Sequence, residues 1–369
     1  MKKCIMQIVG NRPQFIKLAP VSKEIRKRGY EEVIIHSGQH FDENMSDVFF
    51  KELNIPKPDR NLHIFGGSHA EMTAKMMIAV EDVLLEYMPL LVIVYGDTNT
   101  TLAAAVVARK LNIPIVHIEA GPRTGNKNNP EEINRVIVDH ISELLCAPDR
   151  SSYQNLLEEG LADRVFFAGD VMYDVFVQTR ERVDSANVLA KYSLEKDRYV
   201  LMTWHRQENT TDIVTVRRIV ELLEQIEEKI VCPLHPRTKK VLLQFELWER
   251  ILAIPDLYII DPVGYLDMVA LTANCRMILT DSGGLSKESF FAGVRCLFMV
   301  DLRVWPELED SGWICHMYED NKRNIECIKE IFAGETPDNV RQNFYGDGNA
   351  AAIIVSEMEK RFGLKGWQE

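Results

Sequence analysis

Three carboxylates stand where a sheet could gather them. Asp97 follows the apolar run at residues 90–95, Glu119 ends His117-Ile118-Glu119-Ala120-Gly121, and Glu131 opens Pro130-Glu131-Glu132-Ile133-Asn134-Arg135. Residues ending parallel strands share one sheet edge, where open α/β folds bind ligands. Carboxylates crowded there raise one another's pKa and suit general acid/base work near neutrality. Asp97 could equally cap a helix, and the acidic pair 131–132 could simply complement a helix dipole. Two further segments are built for anions. Gly10-Asn11-Arg12-Pro13 joins the first strand to the first helix, with Arg12 and Lys17 adding positive charge, although an ordinary βα turn would look the same. Asp281-Ser282-Gly283-Gly284 ends a strand and opens a helix, so backbone N–H groups and the helix terminus can meet phosphate oxygens. Glu288, one turn further, has only acceptors and suits vicinal ribose hydroxyls. His205-Arg206 and His235-Pro236-Arg237 lie in the same half and extend the anion-binding pattern. HExxH, CxxC and GxGxxG are absent from these segments, so neither a metal site nor a dinucleotide site is expected.

The elements that must position these residues follow from periodicity. Cys4–Val9, 33–35, 90–95 and 115–118 are short apolar runs separated by helix-period stretches, and the pattern restarts at 199–203, 257–260 and 277–279. Continuous apolar strands alternating with helices imply parallel sheets covered on both faces. The 369 residues are ample for two such domains, and the charged stretch at 185–198 marks a linker between the repeats. The cleft between the two domains is the default ligand site. A net charge of −12 argues against non-specific nucleic-acid or anionic-membrane binding, while leaving room for a locally positive pocket. The apolar stretch after Met1-Lys2-Lys3 stops at Gly10, too short for a secretory leader, and no run approaches a membrane span. Seven cysteines without metal spacing read as buried reduced thiols of a cytoplasmic protein.

In chain order, several motifs together resemble the non-hydrolysing UDP-N-acetylglucosamine 2-epimerase family, from Gly10 to beyond Gly346. They are Gly10-Asn11-Arg12-Pro13-Gln14-Phe15-Ile16-Lys17, Gly38-Gln39-His40-Phe41-Asp42, Gly96-Asp97-Thr98, His117-Ile118-Glu119-Ala120-Gly121, Pro130-Glu131-Glu132-Ile133-Asn134-Arg135, His205-Arg206-Gln207-Glu208-Asn209 and Asp281-Ser282-Gly283-Gly284. The resemblance implies two Rossmann-like domains of the GT-B type with the active site in the interdomain cleft. Residues 1–169 would carry the sugar-side carboxylates, with a C-terminal helix at 351–369 packing back on them, and residues 170–350 would bind UDP. It implies reversible inversion at C2 of a UDP-2-acetamido sugar through bound UDP and a 2-acetamidoglucal, with no cofactor and no metal.

Carried over residue by residue, the resemblance makes Asp97, Glu119 and Glu131 the acid/base and oxocarbenium-stabilising groups and has His205 assist the leaving diphosphate. Arg12, Lys17, Ser282, Gly283 and Gly284 would hold the diphosphate or nearby groups and Glu288 the ribose. Arg135, Arg206 and His235 complete the substrate-binding set. The implied partners are a UDP-sugar and a second copy of the chain, for surface-polysaccharide synthesis. Gly66-Gly67-Ser68-His69, Asn54-Ile55-Pro56-Lys57-Pro58, Asp261-Pro262-Val263-Gly264-Tyr265-Leu266, Lys287-Glu288-Ser289-Phe290-Phe291 and the short spacing from Glu119 to Glu131 are similar to the branch acting on UDP-2,3-diacetamido-2,3-dideoxyglucuronic acid. The loop Val300-Asp301-Leu302-Arg303-Val304-Trp305-Pro306-Glu307 departs from the family's Arg-Asp-x-Thr-Glu pattern. Arg303 there is either a new cation for a uronate or a solvent-facing side chain, and Trp204 replaces a smaller residue. A GT-B glycosyltransferase and a non-catalytic UDP-sugar-binding protein are the rival readings.

Overall fold

The central apolar strands bury both faces because helices cover them, while the edge strands at 165–167 and 257–260 are only partly buried. The computed structural model describes residues 4–38, 52–300, 303, 305–334, 337 and 343–364. Residues 39–42 of the second motif, residues 301, 302 and 304 of the altered loop, and residues 365–369 of the expected C-terminal helix lie outside the described residues. The chain divides into two compact units, Met1–Val175 with Asn343–Glu369, and Phe176–Gln342.

The first unit holds β1 (Cys4–Val9), α1 (Arg12–Lys27), β2 (Glu31–His36), β3 (Arg60–Asn61), α2 (His69–Tyr87), β4 (Leu91–Tyr95), α3 (Asn99–Lys110), β5 (Ile115–Ile118), α4 (Pro130–Ile141), β6 (Leu144–Ala147), α5 (Arg150–Glu158) and β7 (Val165–Phe167), with α6 (Val171–Arg182) beginning in it. Its seven-stranded sheet runs β3-β2-β1-β4-β5-β6-β7, and every pairing is parallel. Strand order reverses between β1 and β4, the switch point where such sheets bind ligands. Alternate residues of β1 serve opposite layers. Ile5 and Val9 pack with Phe15, Leu18 and Ile25 of α1, while Met6 and Ile8 pack with Val83 and Leu84 of α2 and Ala104 of α3.

The second unit holds α7 (Ser185–Lys191), β8 (Val200–Thr203), α8 (Ile213–Leu223), β9 (Ile230–Pro233), α9 (Pro236–Gln244), α10 (Trp248–Leu252), β10 (Leu257–Ile260), α11 (Tyr265–Asn274), β11 (Met277–Thr280), α12 (Gly283–Ala292), β12 (Cys296–Phe298), α13 (Pro306–Asp310), β13 (Ile314–His316) and α14 (Asn321–Phe332). Its sheet, β10-β9-β8-β11-β12-β13, is again wholly parallel and reverses between β8 and β11. The stretch at 185–198 is not the expected linker. Asp184 caps α7 by accepting from Asn187 N at 3.1 Å, and Val188 and Leu194 are buried inside the second unit. Only Lys191 of its charges lies on that short helix; Glu195, Lys196, Asp197 and Arg198 form the turn that leads into β8.

The last helix, α15 (Ala350–Phe362), belongs to the first unit, where Ile354, Val355 and Met358 enter the same core as Ile5 and Leu18. Its own N-cap residue, Asn349, supplies no side-chain cap. Asp174 supplies it instead, accepting from Ala350 N at 3.0 Å and Ala351 N at 2.8 Å. Burial pushes the Asp174 carboxyl up to about 6; the two N–H groups oppose the shift, and nearby Asp170 and Asp347 add to it. A carboxyl raised in the folded state gives stability that is full at low pH and lost as pH rises through about 6. Urea unfolding should therefore find that the protein gains about 1 kcal/mol over Asp174→Asn between about pH 7 and about pH 5. Parallel pH profiles for the two proteins would contradict this assignment.

Candidate active site

The turn after β1 is shaped by close approach. A Cβ at Gly10 would collide with the hydroxyls of Thr100 and Ser37. Asn11 caps α1, accepting from Gln14 N at 3.2 Å. The buried Gln14 amide then joins this turn to the one after β4. Its Oε1 accepts from Gly10 N at 2.7 Å, and its Nε2 donates to Tyr95 O at 2.7 Å and to Thr101 Oγ1 at 3.0 Å. Thr98 and Thr101 form a capping box at the start of α3. Between them and β4, Gly96 turns the chain with φ +58° and Asp97 follows at the sheet edge.

Lys17, buried on the second turn of α1, forms an ion pair with Glu119 at the end of β5, and its Nζ also lies beside Gly96. Glu119 has φ +67°, a left-handed backbone that costs a non-glycine residue of order 1 kcal/mol. Strain held by a buried ion pair at a strand end is a feature of sites. Asp97 pairs with Arg135, and Asn134 Nδ2 donates to the Asp97 carbonyl at 2.9 Å. Arg135 also reaches Glu132 at 3.0 Å, and Glu132 accepts from Thr124 N and Gly125 N at 3.0 Å each. Glu131 is exposed on the first turn of α4, one turn before Arg135. Asp97 and Glu119 each meet a cation. Arg12 is partly exposed on the first turn of α1.

A buried layer supports this edge. The His117 Nε2 lies 2.7 Å from the Gly96 carbonyl and its Nδ1 2.7 Å from Asp139, which in turn pairs with Arg123 at 2.8 Å. Both ring nitrogens thus face acceptors, and the Gly96-Asp97 turn is pinned from beneath.

In the second unit, Asp281 follows β11 fully buried. It accepts from His205 N at 2.9 Å, Arg206 N at 2.7 Å and Asn209 Nδ2 at 3.3 Å, and it meets His205 Nδ1 at 3.1 Å. Burial would raise its carboxyl, but the His205 ring and the backbone N–H groups prevail and hold it below the ordinary range. A carboxylate on Nδ1 fixes the ring and leaves Nε2 for a ligand. The His235 ring lies 5.8 Å from that of His205, and its Nδ1 accepts from Arg237 N at 3.1 Å to cap α9.

Ser282 caps α12, accepting from Leu285 N at 3.4 Å. Among the described residues no acceptor meets Gly283 N or Gly284 N, and Arg206 Nη2 stands 3.7 Å from where a Cβ at Gly283 would be. Helix terminus and guanidinium together offer the groups that suit an anion. Glu288 is buried on α12, and Tyr265 OH donates to it at 3.0 Å. Trp305 covers the same helix, with Lys287 Nζ 3.8 Å from its ring centroid and its Nε1 3.2 Å from Ser286 Oγ.

Two residues of interest find other roles. Arg303 is 56% exposed and bound to Asp310 at 2.6 Å and to Glu309 at 3.6 Å, so its charge is met by the neighbouring helix α13. Trp204 is buried in the core of the second unit, its Nε1 donating to Asn209 O at 3.0 Å. Gln14, Asn134 and Asp281 were within recognised motifs, but their roles appear only in three dimensions. Tyr265 carried no chemical signal of its own. Among the described residues no cluster of three or more His, Cys, Asp or Glu could hold a metal ion, and no helix is long and apolar enough to cross a membrane.

The sequence profile of the UDP-N-acetylglucosamine 2-epimerase family matches residues 23–359. The chain is 44% identical to a UDP-N-acetylglucosamine 2-epimerase homolog of Methanococcus maripaludis, covering 95% of this chain and 98% of that one. It is 42% identical to the UDP-2,3-diacetamido-2,3-dideoxy-D-glucuronate 2-epimerase of Pseudomonas aeruginosa, covering 96% and 99%. Its fold is similar to the crystal structure of Methanocaldococcus jannaschii UDP-GlcNAc 2-epimerase in complex with UDP-GlcNAc and UDP, with TM-score 0.86, 38% identity and coverage of 98% and 100%. The profile spans nearly the whole chain and the relatives align end to end, so this protein belongs to the UDP-N-acetylglucosamine 2-epimerase family.

Proposed function

We propose that this isomerase inverts C2 of a UDP-2-acetamido sugar by removing the C2 proton and expelling UDP from C1, then returning UDP to C1 on the face it left while C2 is re-protonated from the opposite face. The observation that carries the reading is the pair of carboxylates at the β4 and β5 edge, each held by a cation: Asp97 by Arg135 and Glu119 by Lys17. Proton removal from carbon needs a fixed base, and a sugar developing positive charge at C1 needs carboxylates beside it. Asp97, Glu119 and Glu131 fill these roles. Arg12, Arg206, His235, the Ser282-Gly283-Gly284 helix terminus and His205 serve the diphosphate, and Glu288, held by Tyr265, the ribose. UDP-GlcNAc and its 2,3-diacetamido-uronate relative are the two candidate substrates. A GT-B glycosyltransferase is not favoured, because transfer needs no base at C2. The reading includes a cytoplasmic enzyme working as a homodimer on a UDP-sugar.

NMR of the protein with each candidate UDP-sugar in heavy water tests the proposal. The expected result is the C2 epimer with deuterium at C2. An epimer retaining its C2 hydrogen, or transfer to an acceptor with no epimer, would overturn it. Asp97→Asn, Glu119→Gln and Glu131→Gln should each lower kcat by about 10²–10⁴-fold. Asp281 acts through His205, so it is a positioning residue. Asp281→Asn and His205→Gln should each lower kcat, and the double variant should fall little below His205→Gln alone. Additive losses would separate the two residues.

A further inference from the structure

Gly66-Gly67-Ser68-His69 brings a histidine to the acidic edge of the first unit. Gly66 and Gly67 take φ +72° and +86°, a left-handed pair that side chains rarely adopt. Their turn leads into Ser68, whose hydroxyl caps α2 by accepting from Glu71 N at 3.2 Å. His69 therefore opens α2 at the carboxyl edge of the parallel sheet. Asn99 opens α3 at that edge, and Asn134 lies on the second turn of α4.

A chain of buried amides joins His69 to Asp97. Asn134 Nδ2 donates to the Asp97 carbonyl at 2.9 Å, and its other proton faces Asn99 Oδ1 at 3.4 Å. That orients the Asn99 amide and aims its Nδ2 at His69 Nδ1, 3.1 Å away. An amide nitrogen only donates, so Nδ1 accepts and the ring proton sits on Nε2. Asn99 and Asn134 are buried, whereas His69 is exposed. The chain thus ends in one oriented N–H donor at the edge that carries Asp97.

We propose, on the basis of the C2 epimerase function above, that His69 is a specificity-determining residue of the sugar site. Its Nε2–H donates to an oxygen that only accepts, the C6 carboxylate or the C3 acetamido carbonyl of the 2,3-diacetamido-uronate. UDP-GlcNAc carries hydroxyls at both of those carbons. Each hydroxyl brings a proton of its own, and the ring, with Nδ1 occupied, has no acceptor to receive it. Carboxylate and carbonyl oxygens bring only lone pairs and match the donor. A site built around such a bond discriminates against the sugar that cannot complete it.

The test uses the full chain and two readouts: calorimetric affinity for recognition, and C2 deuterium exchange in heavy water for turnover. The ligands are UDP, UDP-GlcNAc, the 2,3-diacetamido-uronate and two hybrids. UDP-N-acetylglucosaminuronate has only the carboxylate, and UDP-2,3-diacetamidoglucose only the C3 acetamido group. Relative to UDP, the unaltered chain should bind the uronate about tenfold or more tighter than UDP-GlcNAc. The hybrid that keeps this advantage identifies the oxygen. His69→Phe should lower the uronate-to-UDP-GlcNAc ratio about 10–100-fold, and His69→Gln, which keeps a donor, should restore part of it. No preference for the uronate in the unaltered chain, a preference untouched in His69→Phe, or an equal loss on all four sugars would overturn the role of His69. Absence of deuterium exchange with every sugar would overturn the epimerase function instead, and the affinity ratios would still decide the role of His69. The comparison of sugars on the unaltered chain needs no variant to fold.

Discussion

The side-chain amide of Gln14 joins the two turns on which the first unit's site depends. Strand order reverses between β1 and β4, so no backbone ladder connects what lies beyond their ends. Gln14 spans that gap with all of its hydrogen-bonding groups engaged, from Gly10 N on one side to Tyr95 O, Thr98 Oγ1 and Thr101 Oγ1 on the other. Each such bond adds about 1 kcal/mol net, while stranding any one buried partner would cost about 1–3 kcal/mol. The geometry is therefore strongly specified. Because the two turns are held together, Lys17 on α1 reaches Glu119 two strands away, and Asp97 stands where Arg135 can grip it.

The second unit solves the same problem with the opposite polarity. Its strand order repeats that of the first, and Asp281, after β11, ties back to the turn after β8 through the His205 and Arg206 N–H groups. A neutral amide serves where carboxylates must gather, since an anion there would oppose them. A carboxylate serves where His205 and Arg206 gather, because it also orients the imidazole. The acidic edge and the anion-binding edge thus follow from which side chain closes each switch point.

The alternation of strands and helices was open to sequence reading because most strands are apolar on both faces, and the observed limits of β1, β5 and β10 coincide with their apolar runs. Residues 185–198 misled because a short helix that buries only Val188, followed by a charged turn anchored by Leu194, looks like a polar break. The site residues were legible as types at strand ends, but their pairings were not. Lys17 and Glu119, or His117 and Asp139, are brought together only by the order of strands in the sheet. The left-handed backbone of Glu119 left no trace, because glutamate does not announce positive φ. Arg303 looked like a spare cation because its partners, Glu309 and Asp310, lie on the helix that follows it and meet it only in the folded chain.

The central claim is that the closure made by Gln14 holds the carboxylates in the arrangement that moves the C2 proton. The most direct measurement is the rate of C2 hydrogen–deuterium exchange catalysed by Gln14→Met, on protein whose unfolding remains cooperative and whose affinity for UDP matches that of the unaltered chain. The prediction is an exchange rate reduced by about tenfold or more, in line with a misplaced catalytic group. Exchange at the unaltered rate in such a folded, UDP-binding variant would contradict it.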